Sequence, residues 1–195
     1  MKTNRYWILF VLVALMLAVS SCMSAPEAPE EPTVWVEYDG ERLDEYVTLD
    51  TYTGLTVSLG SAEETRGEAV WRTVVERAQV LSYPQEQLEY YVAQERARHR
   101  YFGEDVSEET ILADAKQLVK EDLVYRYILR QTGMTLTETE KQTLFDRYVT
   151  KYVEDYGYGD AYVREHLKEQ VYDSMLYDKT MEYLILNNTV LPHQG

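Results

Sequence analysis

Cysteine is nearly absent from this 195-residue chain. A single one, Cys22, allows no internal disulfide, which excludes a small secreted scaffold held by staples. Histidine is almost as scarce. His99, His166 and His193 are scattered, and three histidines with one cysteine cannot build a Cys/His zinc site. Positive charge is in short supply too: 19 Lys and Arg stand against 34 Asp and Glu, a net charge of −15. That sign repels phosphate, so it argues against nucleic-acid binding driven by counterion release and against charge-driven adhesion to an anionic membrane. Gly-rich phosphate loops, nucleophile elbows and paired-histidine metal motifs are all missing. The chain therefore reads as a non-enzyme with no cofactor, and its many adjacent carboxylates read as solvated faces.

What remains is a folding composition, 45% hydrophobic and 27% charged, with an unusual aromatic balance of 18 Tyr against 3 Phe and 3 Trp. A tyrosine keeps an apolar ring and a polar tip, so it can pack or line a contact face.

The N-terminus has the layout of an export signal. Lys2 and Arg5 precede an almost unbroken apolar run from Tyr6 to Val19, which is too short for a permanent bilayer-spanning helix. Val19-Ser20-Ser21-Cys22 resembles the bacterial lipobox, which implies cleavage after residue 21 and acyl chains on Cys22. Two chains on one residue suffice for stable anchoring. Residues 22–33 contain Pro26, Pro29 and Pro32 with three glutamates and read as an extended tether. The expectation is thus a signal peptide over 1–21, a tether over 22–33, and a folded part held at the extracytoplasmic face of the cell membrane.

Residues 34–60 carry β-branched and aromatic runs such as Val34-Trp35-Val36 and Tyr46-Val47-Thr48-Leu49, broken by Asp39-Gly40 and Gly54. They predict two or three short strands or extended arms. From residue 61 to 190 the spacing turns helical. Ser61 is the expected cap of a helix carrying Val70, Trp71, Val74, Val75 and Ala78. Ser82-Tyr83-Pro84 ends it and opens a helix to about residue 102, with Leu88, Tyr91 and Val92 on one side and Gly103 as its stop. Ser107 opens a third helix whose expected inward set is Ile111, Leu112, Ala115, Leu118, Val119, Leu123, Tyr127 and Ile128, stopped by Gly133. Thr137 and Glu140 form a capping box for a fourth, with Leu144, Phe145, Tyr148, Val149 and Tyr152 inward. Beyond Gly157 and Gly159 a single final helix is expected over about 161–188, with a tail at 191–195. The fold class is mainly α, helical arms or a bundle preceded by a short extended or β segment.

Three stretches resemble trigger-factor-like proteins. Tyr46 to Val57 is similar to that family's "YVTLGxYKGLxV" string, with Thr53 in place of lysine. Ser82-Tyr83-Pro84 through Tyr91 resembles the start of the trigger factor C-terminal domain. Val119 to Glu138 is similar to its "VKxxLxxxxIxxxxGIxxT" helix and turn. In order and spacing the matches span about residues 44–190. The family's prolyl isomerase domain has no room between Gly54-Leu55 and Tyr83-Pro84, and its ribosome-binding signature is absent. The resemblance implies the helical, client-cradling part alone.

Together these readings give a membrane-tethered, ATP-independent holdase for unfolded or newly exported polypeptides. Tyr91, Tyr125, Tyr127, Tyr148, Tyr152, Tyr156 and Tyr162 are its candidate peptide-binding residues, on the expectation that helices cannot bury every ring. Tight packing of those tyrosines between helices is the competing reading. A scaffold recognising one folded envelope partner is the alternative function. Arg96, Arg98, His99 and Arg100, the one basic cluster, are expected to pair with surplus acids such as Glu95.

Overall fold

The computed structural model describes residues 42–193; Cys22, the signal and tether segments, and the Val34-Trp35-Val36 and Asp39-Gly40 signals lie outside them. Among the described residues the chain is 68% helix, which establishes a mainly α fold. The elements run α1 (Leu43–Tyr46), β1 (Val47–Thr48), β2 (Thr56–Ser58), α2 (Arg66–Arg77), β3 (Gln79–Val80), α3 (Gln85–Phe102), α4 (Glu108–Thr132), α5 (Glu138–Tyr156), α6 (Asp160–His166), α7 (Lys168–Leu186) and β4 (Thr189–Leu191). None of the described helices is long and apolar enough to cross a membrane. Where one helical domain is expected over 61–190, contacts gather into two compact units, one holding residues 83–119 and the other 42–82 with 120–193.

In the larger unit, α2 buries Val70, Trp71, Val74 and Val75, as its periodicity predicts, together with Ala69, and Ala78 is buried at its C-cap. Its start differs from expectation. Thr65, not Ser61, is the cap: its hydroxyl accepts from the Glu68 N–H at 3.2 Å, and Glu68 Oε2 accepts from the Thr65 N–H at 2.8 Å. This reciprocal pair satisfies two otherwise orphaned donors. Glu64 instead accepts from the Gly60 N–H and from Arg72 Nε at 2.9 Å, and that guanidinium holds its carboxyl below the usual range.

The capping box at Thr137 and Glu140 forms as the sequence predicts, with bonds of 2.7 and 3.2 Å. Glu140 also bonds Lys179 Nζ at 2.6 Å, tying the first turn of α5 to α7. The core here is Tyr148, Val149 and Tyr152 of α5 with Val163, Leu167, Val171 and Met175. Each fully buried aliphatic contributes roughly 1.5–3 kcal/mol by leaving water.

Three further corrections concern boundaries. The expected single final helix breaks at Leu167, whose backbone (φ −114°, ψ 19°) leaves helical geometry, giving α6 and α7. No glycine or proline marks the break, and Leu167 stays in the core with Val163, Val171 and Met175, at the four-residue spacing an unbroken helix would also give. Residues 43–46 form a helical turn, with Tyr46 ending α1 instead of opening a strand. The segment expected to lead only into a tail pairs instead. β4 lies parallel to β2, with Thr56, Val57 and Ser58 opposite Thr189, Val190 and Leu191. Asn188 anchors that return: its buried side chain accepts from the Leu55 N–H at 2.8 Å and donates to the Leu184 carbonyl at 2.7 Å and the Tyr52 carbonyl at 3.0 Å. β1 and β3 form a second two-stranded sheet, antiparallel, with Val47 opposite Val80.

In the smaller unit, Pro84 caps α3, and Gly103 ends it at φ +67°, a left-handed conformation that L side chains rarely adopt. The buried side of α3 is Gln87, Tyr91, Glu95 and His99, spaced four apart. Leu88 and Val92 are only half-buried. On α4, Ile111, Ala115 and Val119 are buried, whereas Leu112, expected inside, is 38% exposed.

Candidate functional site

The seven candidate tyrosines divide by burial. Tyr91, Tyr148 and Tyr152 are buried, with little of each ring left to solvent. The Tyr148 hydroxyl donates to Asp178 at 2.7 Å, and that of Tyr152 bonds Ser174 at 2.8 Å and the Gln170 carbonyl at 3.1 Å. Burial pushes both phenols up, Tyr152 to about 12. Tyr125 packs on Tyr177, whose ring meets the edge of Trp71. Tyr127 lies half-buried under the Arg130 guanidinium. Tyr156 and Tyr162 are also half-buried. They belong to a ladder from core to surface, Tyr152–Tyr156–Tyr158–Tyr162–His166, with ring centroids 5.4, 6.1, 5.8 and 4.8 Å apart. Apart from the Tyr152 end, this ladder keeps a partial aromatic edge on the surface.

Beside Tyr148 lies an open cleft of about 430 Å³ lined by Arg147, Tyr148, Thr150, Lys151, Glu154 and Asp178. Its mixed charges include no histidine or serine that would make a nucleophile and base pair.

The largest exposed aromatic groups among the described residues are ones that periodicity passes over. Tyr101 and Phe102, at the end of α3, are 60% and 58% exposed, with rings edge to face at 5.2 Å. Position 101 falls off the stripe of 87, 91, 95 and 99, so neither helix rotation nor the Gly103 stop turns its ring inward. Leu112, in the same unit, adds an exposed aliphatic group. The signal was present in the sequence as two adjacent bulky aromatics placed directly before a helix-ending glycine. In the larger unit Leu81, Leu186 and Leu191 are exposed.

Behind the aromatic pair sits a charge network. Arg98 Nη2 donates to Glu95 Oε2 at 2.6 Å and lies 2.9 Å from His99 Nε2. His99 Nδ1 lies 2.5 Å from Glu104 Oε2. Asp114 Oδ2 of α4 lies 3.7 Å from Arg98 Nη2. Arg96 pairs separately with Glu108 at 2.6 Å, while Arg100 is exposed. The basic cluster thus pairs with neighbouring acids at Arg96 and Arg98, as its composition suggests. His166 is exposed at the end of the ring ladder, and His193 donates to the Leu59 carbonyl at 3.3 Å.

No family model and no curated protein matches this chain. The trigger-factor resemblance therefore rests on the three stretches quoted above. The fold beneath those stretches divides at Val119, where the third of them begins. Among the described residues the arrangement offers exposed aromatic surface at a helix end and partial ring edges along the ladder.

Proposed function

We propose that this chain is an exported, lipid-anchored, ATP-independent holdase that binds unfolded polypeptide through exposed aromatic surface. The observation that carries this reading is the Tyr101–Phe102 pair, two large rings left open to solvent at the end of a helix. Burying such rings against a client gains apolar contact without demanding a particular sequence, and the Tyr hydroxyl tolerates water between clients. The half-buried Tyr156, Tyr158 and Tyr162 edges supply further weak contact. A net charge of −15 keeps the protein soluble while this surface is open. Nothing in the reading calls for a catalytic step or for nucleic acid. The acyl chains on Cys22 would hold the folded part at the extracytoplasmic membrane face.

The test is binding of several unrelated, permanently unfolded polypeptides, followed by fluorescence anisotropy, with their native forms as controls. The holdase reading expects binding to each unfolded chain and none to the native forms. Absence of such binding, together with co-purification of one stoichiometric folded partner, would move the chain to the scaffold class.

A further inference from the structure

Weak contact with a client needs only ring edges, yet the aromatic ladder also sets its rings in an order. Its five rings fall within residues 152–166, on the end of α5, the turn after it, and α6. At the inner end Tyr152 is fixed. It is buried, its hydroxyl bonds Ser174 and the Gln170 carbonyl, and its plane stands at 66° to that of Tyr156. Further out the planes turn toward one another. Tyr156 and Tyr158 are tilted by 47° at 6.1 Å, whereas Tyr158 and Tyr162 stack, with planes 23° apart and centroids 5.8 Å apart. That separation lies inside the range of roughly 4.5–7 Å over which aromatic rings pack on one another. Both stacked rings are half-buried, so each keeps an edge in water.

The sequence accounts for the approach. Tyr158 lies outside the helices, between Gly157 and Gly159. Gly157 takes φ +74°, and an added Cβ at either glycine would meet no atom within 4 Å. Glycine leaves the backbone its widest freedom, and open space around both leaves it unused by packing. Tyr162 is placed differently, in the first turn of α6 beside the fully buried Val163. A ring whose backbone can shift is thus set against a ring held by a helix. Other tyrosine pairs lack this combination: Tyr90 and Tyr91 meet edge to face at 71°, and Tyr125 and Tyr177 are tilted by 53°.

We propose that Tyr158 and Tyr162 form an oxidative modification site, at which one-electron oxidants of the radical class convert the pair to an intrachain dityrosine. Each phenol gives one electron to an oxidant molecule and its hydroxyl proton to water. The two phenoxyl radicals join through ring carbons next to the oxygens, and the hydrogens on those carbons move to the oxygens, restoring both phenols. The product has one new carbon–carbon bond and two fewer hydrogens, and two oxidant molecules are reduced. The bond closes the glycine-flanked turn onto α6, in a chain whose single cysteine allows no internal disulfide. This site does not depend on polypeptide binding.

The test is mild photo-oxidation of the dilute full-length chain in detergent, with tris(bipyridine)ruthenium(II) and persulfate as the one-electron oxidant. Cleavage before Asp155, Asp160 and Asp173 separates residues 155–159 from 160–172 unless a bond joins them, and tandem mass spectrometry locates that bond. The expected result is these two peptides joined through Tyr158 and Tyr162, short of two hydrogens, as the most abundant intrachain dityrosine. Unfolding the chain in urea before oxidation keeps the sequence spacing but removes the stacking, and should lower that share several-fold. Tyr158→Phe and Tyr162→Phe, each checked for native helical dichroism, should each abolish the link. The map of the unmodified chain does not depend on any variant folding. Links spread evenly over Tyr90–Tyr91, Tyr156–Tyr158 and other pairs would overturn the site, as would an equal share in the urea-unfolded chain or no intrachain dityrosine at all.

Discussion

Tyrosine serves both core and surface in this chain, and two of its buried rings are tied down by hydrogen bonds. Tyr148 and Tyr152 are buried because each hydroxyl finds a partner on α7 or beside it, Asp178 for one and Ser174 with the Gln170 carbonyl for the other. Tyr148→Phe removes one such bond and leaves Asp178 without its phenol; chemical denaturation should read a loss of about 1 kcal/mol. The same burial fixes an alkaline limit. A phenol whose folded value is raised keeps its proton after the unfolded chain has lost it. Its contribution is therefore fully present below about pH 10 and is lost as the pH rises through the folded value, about 12 for Tyr152. Tyrosinate absorbance should rise in two phases, the second together with loss of helical dichroism; a single phase with helix intact would contradict this burial. Glu140 has the opposite sign. Lys179 and the Thr137 cap hold its carboxyl down at about 2, so its contribution is present at neutral pH and is lost as acid carries the pH from the ordinary carboxylate range toward that value. Glu140→Gln should flatten that acid limb of the stability curve. Spacing alone could list the rings but not the partners, since Asp178 and Ser174 lie on an element distant in sequence.

At the scale of elements, the legible features were those set within a few residues. The Thr137 capping box, the glycine stops at 103, 133 and 157, and the inward stripe of α2 all follow from local chemistry. What was not legible depends on remote packing. The bend at Leu167 interrupts a pattern that reads as continuous, with the inward stripe of 163, 167, 171 and 175 unchanged across it, and Thr189 to Leu191 become a strand through pairing with β2, more than 130 residues earlier. Thr65 is the cap although Ser61 has an acid, Glu64, at the same spacing, and the difference is remote: Glu64 is engaged by the Gly60 N–H and by Arg72 within α2, while Glu68 is left to return the bond to Thr65. The candidate site was half legible for the same reason: the ring ladder lies within one local stretch, whereas the exposure of Tyr101 and Phe102 depends on which side of α3 is covered. Gly103→Ala tests the turn directly. At φ +67° an added Cβ meets no neighbouring atom, so the cost is conformational, about 1 kcal/mol, and should appear in thermal unfolding without any change in the α5–α7 core.

For the whole molecule, the proposed reading tethers an acidic, mainly helical folded part through an N-terminal segment that resembles a lipobox. Cys22→Ala should release the protein from membranes into the soluble fraction; unchanged partitioning would remove the lipid from the account. The folded part follows the sequence at the level of class and departs from it in organisation, since the boundary after Val119 falls inside α4, where no glycine- or proline-rich linker marks it. The central claim is that a protein of this charge keeps two aromatic rings in water in order to meet unfolded chains. Its most direct test is suppression of client aggregation by the native chain and by a Tyr101→Ser, Phe102→Ser double variant, with equal helical content checked for both. The account expects the native chain to suppress aggregation of several unrelated clients and the variant to lose most of that effect. Equal suppression by the two proteins would contradict it.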